Sequence, residues 1–158
     1  MILYHGSNVE VKEIDLNRSE VGKDFGVGFY LTASKEQAER MASRRVRLYG
    51  GEPVVSVFEF DEAAAKKDGL LLKDFQLYSK EWADLILANR ANGTRKQIHE
   101  YDIVHGPIAN DDVGFQIRRL LAGIIDIDTF LKELKYKKGV TFQYFFATER
   151  SIKYLKRI

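Results

Sequence analysis

The chain has 158 residues, which suits one domain with a core of its own. Hydrophobic residues make up 45% and charged residues 30% of it, and these fractions exclude the disordered, collagen-like and disulfide-stapled classes. The net charge of +2 is too small to indicate by itself that the protein binds nucleic acid.

The location of the protein can be predicted from three absences in the sequence. The N-terminus has no basic region followed by an apolar run, and no stretch has the roughly 18 apolar residues that a membrane helix needs. The chain has no cysteine, which excludes disulfides, thiolate zinc sites and a cysteine nucleophile. We therefore expect a cytoplasmic protein that makes no membrane contact and is not exported by a standard signal.

The first predicted strand covers residues 2–5, which are apolar and aromatic. Gly6, Ser7 and Asn8 follow as a turn, so His5 is predicted to lie at the strand end. A polar loop then leads to a glycine-rich stretch, and a loop between two strand ends commonly borders a site.

Residues 24–32 predict a loop that turns into a strand at 29–32. Gly26 and Gly28 can adopt positive φ and let another molecule approach the main chain, while the residues after them have strand composition. An aromatic strand beside bare backbone would form a wall for a flat ligand. The alternative is a tight turn without further function. The kinase metal triplet is excluded because its partner motifs are absent, and neither a phosphate loop nor a dinucleotide fingerprint occurs.

A helix is predicted directly after this strand. Ser34 and Gln37 form a capping box at its start, and Gly50 with Gly51 ends it. An exposed basic stripe on this helix would serve either solubility or a partner. The predicted inward residues are Ala38, Met41, Ala42 and Tyr49, and the stripe consists of Arg40, Arg44 and Arg47.

The middle of the chain predicts further alternation of strands and helices. Residues 54–60 form a continuous apolar run, typical of a strand that is central in its sheet. A short helix or turn at 61–67 and a brief strand at 70–72 follow. Ser79 caps the next helix, in which Trp82 repeats with apolar neighbours and is expected to anchor the core rather than a ligand.

The last third predicts a helical hairpin between two strands, at 101–105 and at 140–146. Asp111 or Asp112 caps the first helix of the hairpin, and Asp126 or Asp128 caps the second. A final helix follows Thr148, and its inward residues are Ile152 and Leu155. His99 and His105 lack matching ligands for a metal site. The irregular element order predicts an α+β fold in one domain, residues 1–158.

Three residues on three predicted strands carry a family resemblance: His5 in Tyr-His-Gly-Ser, Tyr30 in Gly-Phe-Tyr-Leu-Thr, and Gln143. In this order they resemble the ADP-ribosyltransferase superfamily, in the His-Tyr-Glu branch of poly(ADP-ribose) polymerases and diphtheria toxin, with glutamine in the third place. The chain is most similar to the bacterial DUF3990 family, over nearly its whole length. The further segments that carry this likeness are 82–90, 101–104, 106–107, 109–111 and 148–149.

The resemblance implies a split mixed β-sheet core with flanking helices and a helical hairpin. It also implies a site for NAD, in which His5 binds the adenine-side ribose, the Gly6 backbone binds the nicotinamide amide, and Tyr30 stacks on the nicotinamide ring. Met41 would lie where relatives have a second stacking aromatic. Residues implied in NAD binding are His5, Gly6, Ser7, Gly28, Tyr30 and Met41; those implied in catalysis are His5, Tyr30 and Gln143.

The function implied by the resemblance is transfer of a single ADP-ribose from NAD to a protein or nucleic acid, without a metal. Relatives are toxins paired with small helical antitoxins, so a similar partner is expected here. Gln143 can form a hydrogen bond but carries no charge, and therefore leaves transfer, hydrolysis or no turnover open. The alternatives are a non-catalytic module that binds NAD or a partner, and a basic helix that contacts nucleic acid.

Overall fold

The computed structural model describes residues 1–135 and 137–158, and in these residues it contains two β-sheets and six α-helices. The predicted α+β class is confirmed. The first sheet has three antiparallel strands in the order β1-β3-β7, so β3 is central, as predicted. Its strands are β1 (Ile2–Ser7), β3 (Val54–Phe60) and β7 (Leu155–Arg157).

The second sheet has four strands in the order β2-β6-β5-β4, and it is mixed because β4 and β5 run parallel while the other pairs are antiparallel. Its strands are β2 (Phe29–Leu31), β4 (Leu72–Asp74), β5 (Ile103–Pro107) and β6 (Phe142–Phe146).

Side-chain caps begin the helices. Ser34, Asp61, Ser79, Asp126 and Thr148 each accept a hydrogen bond from a backbone N–H in the first turn, which satisfies a donor that the helix itself leaves free. The helices are α1 (Lys35–Tyr49), α2 (Glu62–Lys67), α3 (Lys80–Ala91), α4 (Asp111–Leu121), α5 (Ile127–Leu134) and α6 (Glu149–Ile152), and a 3₁₀ turn covers Leu16–Arg18. None of these helices is long and apolar enough to span a membrane.

Two apolar cores lie on opposite faces of the second sheet. Successive residues of a strand point to opposite faces, so Phe146 packs between the two sheets with Leu3 and Phe58, while Phe145 packs under the helices. The helix-side core contains Trp82, which is fully buried and whose Nε1–H donates to the Pro107 carbonyl at 3.1 Å. Its predicted role as a core anchor is confirmed. The predicted helical hairpin is formed by α4 and α5, and residues of both helices pack in this core.

Strand boundaries differ from the prediction in ways that pairing explains. β1 continues through Gly6 and Ser7 because both pair with β3, so His5 lies inside the strand and not at its end. β5 likewise runs through Gly106 and Pro107, which pair with β6. The strand predicted at 70–72 starts two residues later. Leu155 belongs to β7 and not to the last helix, which ends at Ile152.

Three predictions about the helices were also wrong, and of the two loop glycines that can adopt positive φ only one does so. Asn110, not Asp111 or Asp112, caps α4 by accepting from the Val113 N–H. At Ser34 the capping box is only half formed, because Thr32 Oγ1 accepts from the Ser34 N–H in place of Gln37. Gly26 has φ of 109°, but Gly28 has no positive φ. Finally, Met41 and Tyr49 are 45% and 58% exposed, so only the alanines of the α1 stripe face inward.

Candidate functional site

The site predicted from the sequence lies where β1 and β2 separate. The Tyr4 N–H donates to the Thr32 carbonyl at 2.8 Å, and the Thr32 N–H donates to the Tyr4 carbonyl at 2.9 Å. Within the described residues this is the single bridge between the two strands, because β1 goes on to pair with β3 and β2 with β6. We call the gap that opens beyond the bridge the β1–β2 split.

Gly6 turns its main-chain polar groups toward the β1–β2 split. Along a strand, the N–H and C=O of every second residue lie on the same edge. Tyr4 uses both groups toward Thr32, so those of Gly6, two residues further, face the side of β1 on which Tyr30 of β2 lies. The edge of Gly6 therefore presents one donor and one acceptor to the split.

Helix α1 packs on β1 and requires glycine at position 6. A Cβ at Gly6 would lie 1.8 Å from the Ala38 carbonyl oxygen and 2.9 Å from the Ala42 nitrogen. Both alanines are buried, so the helix backbone lies directly on the strand. This close packing fixes the distance between α1 and β1. The exposed Met41 lies on the same helix.

His5 connects the two sides of the split. Its Nδ1 is 2.8 Å from the Tyr30 carbonyl oxygen, and its ring stacks on Phe29 with centroids 4.7 Å apart. A carbonyl oxygen only accepts, so Nδ1 carries the proton and neutral His5 keeps Nε2 as an acceptor. Burial lowers the pKa of His5 and the positive charge of Arg45 lowers it further, although the bond to Tyr30 raises it. The neutral form is therefore favoured.

The Tyr30 hydroxyl holds the glycine-rich loop. It donates to the Gly26 carbonyl at 2.8 Å and accepts from the Phe25 N–H at 3.0 Å. Burial raises the pKa of Tyr30, so the phenol stays protonated. Its ring tilts against Phe145 with centroids 4.9 Å apart. The structure thus uses the hydroxyl of Tyr30 internally, so a ligand could contact this residue only through its ring.

Residues distant in sequence hold the same loop from outside. Arg90 binds Asp24 at 2.8 Å, and the His99 Nε2–H donates to the Phe25 carbonyl at 2.7 Å. The Gln97 Nε2–H donates to the Val27 carbonyl at 2.6 Å. No local sequence pattern predicts these three supports, because they lie 66 to 74 residues from their partners.

Gln143 lies on β6, next to the strand of Tyr30. Tyr30 pairs with Phe145, and Gln143 is two residues from Phe145, so all three side chains leave the same face of the sheet. The Gln143 Nε2 is buried and has no hydrogen-bond partner among residues 1–135 and 137–158. A buried donor without a partner is unfavourable by about 1–3 kcal/mol, so this amide would gain from a polar ligand.

Ser7 and Gly28, also predicted to bind NAD, have internal roles. Ser7 is 6% exposed, and its hydroxyl accepts from the Val9 N–H at 3.4 Å. The Gly28 N–H donates to the Ser19 hydroxyl, and a Cβ at Gly28 would lie 2.4 Å from the Phe145 ring. Packing on β6 therefore explains this glycine without any ligand.

Two open cavities in the described part of the chain are lined by other residues, and one of them reaches the split. A groove of about 400 Å³ contacts Thr32, Gln37, His105 and Tyr144 among others, and meets the split at Thr32. In it His105 Nδ1 lies 2.7 Å from Asp74. A second cavity of about 490 Å³ lies among charged residues of the 10–18 loop. The structure therefore joins His5 directly to Tyr30 and places Gln143 on the strand next to Tyr30, and none of the three lines either cavity.

Comparison with known proteins gives one result. A family model described as "Protein of unknown function (DUF3990)" matches residues 1–157 of the chain. No curated protein matches it.

Proposed function

The chain belongs to the DUF3990 family, and we propose that it is an NAD-dependent mono-ADP-ribosyltransferase with an ADP-ribosyltransferase-like fold. The observation that carries the proposal is the β1–β2 split, where the Gly6 main chain faces Tyr30 and the His5 ring binds the Tyr30 carbonyl. The nicotinamide amide has one carbonyl acceptor and an N–H donor. Such a group matches the donor and acceptor on the Gly6 edge.

The remaining residues fit the other parts of NAD. Neutral His5 would accept a ribose hydroxyl proton at Nε2, since Nδ1–H is used by the Tyr30 carbonyl. The Tyr30 ring would pack on the nicotinamide ring, with Met41 of α1 as an apolar contact. Gln143 would bind a hydroxyl of the nicotinamide ribose, which would give its buried Nε2 an acceptor.

In the proposed reaction the bond between the ribose C1′ and the nicotinamide nitrogen breaks, and nicotinamide leaves with the electron pair. A nucleophilic oxygen or nitrogen of the acceptor forms the new bond to C1′ and loses a proton. The transition state develops positive charge on the ribose, which an enzyme must stabilise. Gln143 orients the ribose without adding negative charge, so we expect slow, single transfer and no chain formation.

The partners follow from the same resemblance. We propose a protein or nucleic acid as the acceptor, and a toxin role in the bacterial cytoplasm with a small helical antitoxin as partner. The second candidate is a module that binds NAD or a partner without turnover. It is favoured by one observation, the absence of a carboxylate at position 143.

The test measures NAD affinity by calorimetry for the wild type, His5→Ala and His105→Ala. His105 is the matched control, since it is also a half-buried strand histidine but lies in the groove and not in the split. We expect the His5 variant alone to lose at least tenfold in affinity. Equal affinities of the two variants would contradict the site.

Turnover is then measured as free nicotinamide after incubation with NAD, with and without a cell lysate. Release that increases with lysate supports transfer to an acceptor, and release without lysate indicates hydrolysis. Binding without any release would favour the non-catalytic candidate.

A further inference from the structure

Arg45 lies on the face of α1 that packs on β1. Positions 38, 42 and 45 are four and three residues apart, so they share one stripe of the helix. Ala38 and Ala42 are buried against Gly6. Arg45 continues the stripe by one turn and is half-buried, whereas the neighbouring Arg44 is exposed.

Arg45 lacks the side-chain acceptor that each of the other half-buried arginines has. Three described arginines are half-buried, namely Arg45, Arg90 and Arg119. Arg90 binds the Asp24 carboxylate, and Arg119 donates to the Gln116 side chain. Arg45 has no hydrogen-bond acceptor or carboxylate partner within the described residues. Its guanidinium lies over the Tyr49 ring, 4.6 Å from the centroid.

Gly6 and His5 locate the positive charge of Arg45 relative to the split. Gly6 lies under the previous turn of the same helix stripe. The positive charge also reaches His5, whose pKa is lowered first by burial and then by Arg45. Arg40, one turn earlier on α1, differs because Glu36 neutralises it. Arg45 is thus a half-buried cation close enough to His5 to act on its charge, and no carboxylate of the described residues pairs with it.

We propose that Arg45 binds the diphosphate of the dinucleotide in the β1–β2 split. This inference rests on the proposed function. A diphosphate carries two negative charges between its two ribosyl groups, and a guanidinium binds phosphate oxygens through two parallel N–H donors. No stable positive charge comes from the other proposed site residues, His5, Tyr30, Met41 and Gln143. Without Arg45, the diphosphate would therefore have no cation among these residues. The Tyr49 ring holds the guanidinium plane without competing for its donors.

The experiment compares Arg45→Gln with Arg44→Gln. Both changes remove one positive charge from adjacent positions of α1, so the net charge of the two variants is the same. Affinities are measured by calorimetry for NAD, for ADP-ribose and for nicotinamide riboside, which lacks the diphosphate. Arg45→Lys is the third variant, because it keeps the charge but loses the bidentate geometry. Thermal unfolding of each variant verifies that it is folded.

We expect Arg45→Gln to lower the affinity for NAD and for ADP-ribose by at least tenfold and to leave the affinity for nicotinamide riboside within twofold of the wild type. Arg44→Gln should stay within twofold for all three, and Arg45→Lys should lie between. The affinity of the wild type for NAD should also fall more steeply with salt than that of Arg45→Gln.

Three results would overturn the inference. Equal NAD affinities of Arg45→Gln and Arg44→Gln would refute it while leaving the proposed function intact. An equal loss for nicotinamide riboside would show that Arg45 acts on the nicotinamide end or on the fold. A wild type that binds none of the three ligands would refute the proposed function together with the inference.

Discussion

The anchoring of the glycine-rich loop by one hydroxyl can be tested with Tyr30→Phe. This change removes a single oxygen and keeps the ring that packs on Phe145. It leaves the Phe25 N–H and the Gly26 carbonyl, which lie on buried residues, without their hydrogen-bond partner.

The expected magnitude follows from these two bonds. Leaving a buried polar group without a partner costs about 1–3 kcal/mol, so the loss of both bonds should lower the free energy of unfolding by about 3 kcal/mol. The loop cannot move far to compensate, because Arg90, Gln97 and His99 bind its other atoms. For a chain of this length, 3 kcal/mol corresponds to a decrease in Tm of about 6–12 °C.

The assay is urea unfolding followed by circular dichroism, with calorimetric Tm as a second measurement. Tyr49→Phe is the matched control, because Tyr49 is exposed and its hydroxyl makes no hydrogen bond within the described residues. The control should unfold like the wild type. If Tyr30→Phe also unfolds like the wild type, the hydroxyl does not anchor the loop and the reasoning is wrong.

Two further predictions concern packing and pH. Gly6→Ala should prevent folding or displace α1, because its Cβ would lie 1.8 Å from the Ala38 carbonyl oxygen. Gly93→Ala is the control and should fold normally, since a Cβ there meets nothing within 4 Å. Soluble yield and circular dichroism compare the two variants, and a well-folded Gly6→Ala would contradict the packing. Burial lowers the pKa of His5 and His99 in the folded state. Below pH about 6.5 the unfolded chain therefore binds more protons than the folded chain, and Tm should fall as the pH decreases from there. His99→Gln should make this decrease shallower, and a Tm that rises on acidification would contradict the assignment.

Local signals predicted much of the fold. The Ser34 cap and the Gly50 exit gave the bounds of α1, because both act within one turn of the helix. The bounds of β1 and the existence of β7 depend on pairing between distant strands, which the sequence does not show. β7 has three residues and exists because Leu155 pairs with Phe60, and β1 extends through Ser7 because Val54 pairs with it.

The candidate site, like the fold, was predicted only in part from the sequence. His5, Tyr30 and Gln143 could be selected from the sequence through a resemblance, and the structure adds how the first two meet. The sequence could not show that the Tyr30 hydroxyl is used by the loop, nor that packing alone explains Gly28. Such facts depend on contacts between strands whose register no local pattern fixes. That residues 1–158 form one domain stays a prediction.

The most direct test of the proposed activity is nicotinamide release from NAD by the wild type and by Gln143→Leu. The buried Gln143 Nε2 has no partner in the described residues, so leucine should leave the protein as stable as before or slightly more stable. We expect nicotinamide release by the wild type and none by the folded variant. Equal release by both, or none by the wild type, would contradict it.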